Sequence, residues 1–164
     1  MKTNPVSQRM FALIVLYDMQ TTYFASVIDG ISDPDAHKRL DTKANHIAWL
    51  AGSLVHQRFE IANELGVDLQ PPHDDLFKNG KGIQDGLTYP SLVDYKKDWD
   101  QITPLLRDAL MQVSDERLDQ LFEMPGMSFP IFDLVAFSIY REANMIGQIA
   151  LWRRLLGYEA MKYM

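Results

Sequence analysis

FDLVAFSIYREANMIGQIALWRRLLG, from Phe132 to Gly157, decides how the chain is read. At about 100° per residue, Leu134, Ser138, Arg141, Met145, Gln148, Trp152 and Leu156 share a narrow arc of one helical face. The stripe is interrupted by one arginine, so Arg141 is expected to point into a buried seam or along its edge. A guanidinium there must be paired, must snorkel to water, or must await an anionic ligand, because desolvating it alone costs several kcal/mol.

Three more helical segments precede this one. The first runs from about Pro5 to Ile28, with Pro5 acceptable in a first turn, and Gly30 with Pro34 marks its end. Its apolar run Met10 to Tyr17 resembles the middle of a signal peptide, but is too short to span a bilayer. It continues amphipathically through Tyr23, Phe24, Val27 and Ile28 without a cleavage pattern, which suits the first helix of a soluble domain. The second starts near Leu40 to Lys43 and carries Ile47, Leu50, Ala51, Leu54, Arg58, Ile61 and Leu65 on one face, with Gly66 as its stop.

Residues 67–90 form a long loop rich in Gly, Pro, Asp and Asn, a length that often covers a site. Ser91, with Asp94 three residues on, caps a third helix through Tyr95, Trp99 and Ile102 that Pro104 should kink or divide. Asp115 to Ser128 reads as a short helical piece and a loop around Pro125 and Gly126, before the fourth helix starts near Pro130. Nothing alternates with period two for long enough to argue a sheet. The expected fold is all-α: a single domain over 1–164, an antiparallel four-helix bundle whose long second connection folds over one end.

The 164 residues are 47% apolar, enough for one compact core. With 22 acidic against 16 basic side chains the net charge is −6 and no face concentrates Lys and Arg, which disfavours nucleic acid. The absence of cysteine removes disulfides, thiolate ligands and a cysteine nucleophile, and fits a cytoplasmic protein. No membrane partner is expected; a homodimer is, since dimers are frequent among soluble proteins.

His46 aligns with Ser53, Gln57 and Glu60 along the second helix, a polar row of the kind that lines a pocket inside a bundle or marks the edge of its core. His56 lies well round that helix and is expected on the surface. His37 and His73 fall in polar connections, and His73-Asp74-Asp75 lacks a prearranged coordination shell. A transition-metal site would need imidazoles or carboxylates converging from different helices, commonly with an i, i+4 pair on one of them. The fourth helix offers Arg141 and Met145 at that spacing. Arginine gives no lone pair, methionine is a soft ligand suited mainly to copper, and Glu142 is turned about 100° away. His46 and Glu142 are therefore the weak metal candidates. There is no G-x-S-x-G, Walker loop, Rossmann fingerprint or H-E-x-x-H, and Lys78 to Gly82 reads as a turn.

The fourth helix resembles that of the DinB/YfiT-like proteins, small four-helix bundles that often bind a metal. Where that family tends to carry His-Glu-x-x-His-x-Gly-Gln, this chain has Arg141-Glu142-Ala143-Asn144-Met145-Ile146-Gly147-Gln148, followed by the apolar, arginine-rich Leu151 to Tyr158. Asn45 to Leu54 is similar to the family's second-helix segment, and Tyr89-Pro90-Ser91 to its lead-in to the third helix. The resemblance covers nearly the whole chain. It matches the glutamate, glycine and glutamine and departs at both histidines; the third family ligand falls on His46 in one register and on Ser53 in another.

The resemblance implies either of two functions. One is a metal-free bundle in which Arg141, with Gln148, Ser53 and His46 and with Glu60 or a loop aspartate as its counter-charge, either receives a small anionic ligand beside Met145 and Trp152 or forms a structural ion pair that fills the vacated space. The other is a thiol transferase or hydrolase-like enzyme dependent on a divalent metal, nickel or zinc. No cofactor is expected in the first case. A third possibility is a homodimeric interaction module.

Overall fold

The computed structural model describes residues 4–163. It is mostly helical with a small two-stranded sheet. A 3-10 turn at Gln8–Met10, capped by the Ser7 hydroxyl, leads into α1 (Phe11–Ile28). A short α2 (Asp33–Ala36), capped by Ser32, precedes α3 (Ile47–Glu64). The connection to α5 (Leu92–Gln112) contains the single turn α4 (Asp74–Phe77). Another short turn, α6 (Asp115–Leu118), and the strands β1 (Leu121–Met124) and β2 (Met127–Pro130) lead to α7 (Ile131–Leu155).

The residues that meet between helices fix their directions. Arg9 lies over the Phe132 ring, 4.2 Å from its centroid, where α1 and α7 both begin. Arg153 Nη1 donates to Val27 O at 3.1 Å where both end, so the two run parallel. α3 and α5 are also parallel, since Gly52 abuts Tyr95 and, farther along both, Arg58 Nη1 reaches Thr103 Oγ1 at 2.7 Å. α1 runs antiparallel to α5, pairing Tyr17 with Thr103 and Phe24 with Trp99. α3 runs antiparallel to α7, pairing Ser53 with Arg141 and Gln57 with Ser138.

Two parallel pairs where an all-antiparallel arrangement was expected have one cause: residues 65–91 carry the chain back along α3 instead of folding over one end. Phe77 from this connection packs near the Trp49 and His56 rings, and Tyr89 O accepts from His37 Nε2 at 3.0 Å. As a result α3 is buried on every side from Ile47 to Phe59, not along one face only. Gly52 is where the helix is crowded most closely: a Cβ there would collide with Phe77 Cζ and Tyr95 Cζ.

Other boundaries differ from expectation for local reasons. The second long helix does not begin at Leu40 to Lys43, where Leu40 and Asp41 take positive φ, but at Ile47, where His46 caps it. α5 passes through Pro104 unbroken. The proline faces solvent, where the carbonyl that loses its N–H partner can be hydrated, and Thr103 Oγ1 donates to Trp99 O at 2.6 Å beside it. The sheet, unexpected from the sequence, pairs Leu121 with Pro130 through Met124 with Met127 around Pro125-Gly126, with Gly126 at φ +80°.

α1 is apolar outside as well as inside: Ile14, Tyr17, Phe24 and Val27 are buried, while Phe11, Val15, Leu16 and Met19 are exposed. The helical stretch Gln8–Ile28 is long and apolar enough to cross a bilayer by length and composition, longer than the run Met10 to Tyr17 on its own. In this fold it packs against α5 and α7.

Candidate functional site

Two guanidiniums on opposite sides of the α3–α7 contact have different surroundings. Arg58 is fully buried, and Glu142, directly across from it, almost so. Arg58 Nε donates to Glu142 Oε1 at 2.7 Å and Nη2 to Oε2 at 2.8 Å, a bidentate pair. Nη1 lies 3.1 Å from Tyr17 Oη, 3.1 Å from Thr21 Oγ1 and 2.7 Å from Thr103 Oγ1. The guanidinium carbon sits 3.4 Å from the Trp99 ring centroid and 4.1 Å from that of Tyr17, close enough for cation–π attraction. One side chain of α3 thus ties together α1, α5 and α7. Burial pushes the Tyr17 phenol up to about 12, so its hydroxyl stays protonated and donates to Thr103 O at 2.9 Å. The internal space beside the pair, about 10 Å³, is the size of one water and leaves no room for a larger ligand.

Arg141 is only half-buried. Its Nη1 donates to Gln57 Oε1 at 2.6 Å and its Nη2 to Ser53 Oγ at 2.8 Å, both neutral acceptors. Gln57 is held in turn by donating Nε2 to Ser138 O at 3.0 Å. Among the described residues no carboxylate forms an ion pair with Arg141. Burial, the largest influence, lowers its pKa against the opposite pull of Glu60 and Glu142. The side chain opens on a cleft of about 330 Å³. One wall is Asn45, Trp49 and Leu50; the other is α7, where Phe137, Tyr140, Asn144, Met145 and Gln148 flank the guanidinium.

Of the residues singled out from sequence, the structure therefore brings Arg141 to Ser53, with Met145 and Gln148 in the same cleft. It separates the others. Gln148 is exposed and donates to Asn144 Oδ1 at 2.8 Å. Trp152 is buried farther along α7 and does not line the cleft. Glu60 is exposed and lies beside His56, its Oε2 3.5 Å from Nδ1, so it forms no ion pair with Arg141. Glu142 is not turned out of the seam. The buried face of α7 is wider than the stripe centred on Arg141: it takes in Ser138, Met145 and Trp152 of that stripe and extends one residue round through Val135, Ile139, Glu142, Ile146, Ile149 and Arg153.

His46 is the N-cap of α3, where its Nδ1 accepts from Trp49 N–H at 3.0 Å. Burial, then the nearby His37, lowers its pKa to about 4. The neutral ring is the one that caps, since a protonated Nδ1 cannot accept. His56, expected on the surface, is 4% exposed because residues 65–91 cover it. Its Nε2 lies 2.9 Å from Asp74 Oδ1. Burial opposes its charged form, but Glu60 and Asp74 outweigh burial and raise its pKa.

These two histidines give stability opposite pH dependences. His46, depressed on folding, contributes above its unfolded pKa of about 6.5 and loses that contribution as pH falls towards 4. His56, raised on folding, contributes fully below about 6.5 and loses that contribution as pH climbs through its higher folded value. Unfolding midpoints measured from pH 4 to 8 should therefore peak between these limits. His56→Gln should flatten the alkaline side alone; an unchanged alkaline slope would refute the assignment.

The donor set around Arg141 does not suit a divalent cation. A guanidinium hydrogen-bonded to Ser53 and Gln57 occupies the place where the resemblance would set imidazoles, and it repels a metal. His46 uses its Nδ1 on the backbone, and Glu142 uses both oxygens on Arg58. Among the described residues no three His, Asp or Glu side chains gather in a metal-binding arrangement. No protein-family model matches the chain, and no curated protein matches it significantly.

Proposed function

We propose that this chain is a DinB/YfiT-like four-helix bundle in which Arg141 replaces the metal, and that it binds a small anion in the cleft beside α7. The observation that carries this reading is a half-buried guanidinium, open to a cleft, whose hydrogen-bond partners are both neutral. With Glu60 and Glu142 acting on it only at a distance, a carboxylate or phosphate arriving in the cleft supplies the direct ionic partner that the protein does not.

The family side of the reading draws on the α3–α7 geometry. Arg141, at the first histidine position of the fourth-helix pattern, reaches Ser53, one of the two residues on which the family's third ligand can fall. Met145, at the second histidine position, lines the same cleft. His46 is engaged at the helix cap, which favours the Ser53 register.

The test uses purified protein after chelation. Its unfolding temperature should rise saturably with at least one small carboxylate or phosphate, and Arg141→Gln should abolish that rise. Near-stoichiometric nickel or zinc retained through chelation would instead favour the metal-dependent transferase.

A further inference from the structure

We propose that the Arg141 cleft takes a flat, aromatic monocarboxylate; this rests on the anion-binding reading above and narrows it. Three features of the cleft set the class. The first is charge. Among the described residues that line the cleft, Arg141 is the one charged side chain, the rest being amide, aromatic, aliphatic or, at Met145, a thioether. A single guanidinium neutralises a single negative charge, and a phosphate dianion would keep a second charge that nothing in the cleft pairs.

The second is geometry. Of the five N–H groups of Arg141, one on Nη1 and one on Nη2 point to Gln57 and Ser53. That leaves a donor on each terminal nitrogen and the one on Nε, three charged N–H groups to meet the two oxygens of a carboxylate. Gln57 and Ser53 fix the plane of the fork before any ligand arrives, so little orientation is lost on binding.

The third is the walls. Phe137 and Tyr140 stand 58% and 66% exposed on α7, their ring centroids 6.4 Å apart, where the core gives them no partner. Trp49 and the polarisable thioether of Met145 line the same cleft. Aromatic faces and a thioether favour a ring over an alkyl chain. At about 330 Å³ the cleft is at the small end of ligand pockets, which suits one or two fused rings.

The experiment is calorimetric titration of the full chain with 2-naphthoate, 2-naphthyl phosphate, octanoate and the neutral 2-naphthylmethanol. Naphthoate should bind at least roughly tenfold more tightly than each of the others, and Arg141→Gln should weaken it on the order of 10- to 100-fold. Tyr140→Ala, at an exposed position that the fold does not need, should weaken naphthoate roughly fivefold and leave octanoate unchanged. If octanoate or naphthyl phosphate binds more tightly than naphthoate and depends on Arg141, the aromatic monocarboxylate is overturned while anion binding stands. If none of the three anions binds in an Arg141-dependent way, both fall.

Discussion

Replacing Glu142 by alanine will destabilise the protein by about 3–5 kcal/mol, because it strands the buried Arg58 guanidinium without its counter-charge. For a chain of this length that lowers the unfolding temperature on the order of 10 °C. The three hydroxyls around Nη1 remain, but they solvate a cation and do not neutralise it. The double variant Arg58→Met with Glu142→Leu removes both charges and should recover most of the loss, since desolvating an ion pair offsets much of its attraction. Denaturant unfolding of the single and double variants measures this directly. A single-variant loss below about 1 kcal/mol would show that the pair does not hold the four long helices together.

The second large effect is expected at Trp99. It is 1% exposed, its ring stacks on Phe24 with centroids 4.0 Å apart, and Arg58 lies on its other face. Trp99→Ala leaves a cavity between α1 and α5 and removes the cation–π contact, at a cost of about 3–5 kcal/mol. The indole Nε1 has no hydrogen-bond partner among the described residues. Trp99→Phe therefore forfeits no side-chain hydrogen bond, keeps an aromatic face for both neighbours, and should lose less than half as much. Equal losses in the two variants would mean that an aromatic face kept between Phe24 and Arg58 contributes nothing, and would contradict the stacked arrangement as the source of stability.

The four long helices were legible because each carries a run of apolar residues spaced by three and four, with stops such as Gly66 and a cap such as Ser91. The hairpin at residues 121–130 was not. Strands of four residues are too short for alternation to register, and only Pro125-Gly126 marked the turn. Burial of α3 on every side was hidden for a different reason. It depends on the path of residues 65–91, and a polar, glycine-rich connection does not announce where it will lie. That path is also what buried His56.

At the site, sequence singled out Arg141 and Ser53, and the structure joins them. It placed Glu142 outside the seam because it took the buried face of α7 as one narrow stripe, whereas that face also includes the neighbouring line through Val135, Ile139, Glu142 and Ile146. One signal did exist. Arg58 stands among apolar residues on α3, and a buried base demands a buried acid.

The two arginines have different work: Arg58 is part of the framework, and Arg141 is held ready for a ligand. The most direct measurement is the unfolding temperature of Arg141→Met with and without a saturating small carboxylate. The account predicts a midpoint without carboxylate equal to or above that of the unaltered protein, and no rise when carboxylate is added. A loss of about 3 kcal/mol or more, comparable to that of Glu142→Ala, would make Arg141 a structural ion and contradict the account.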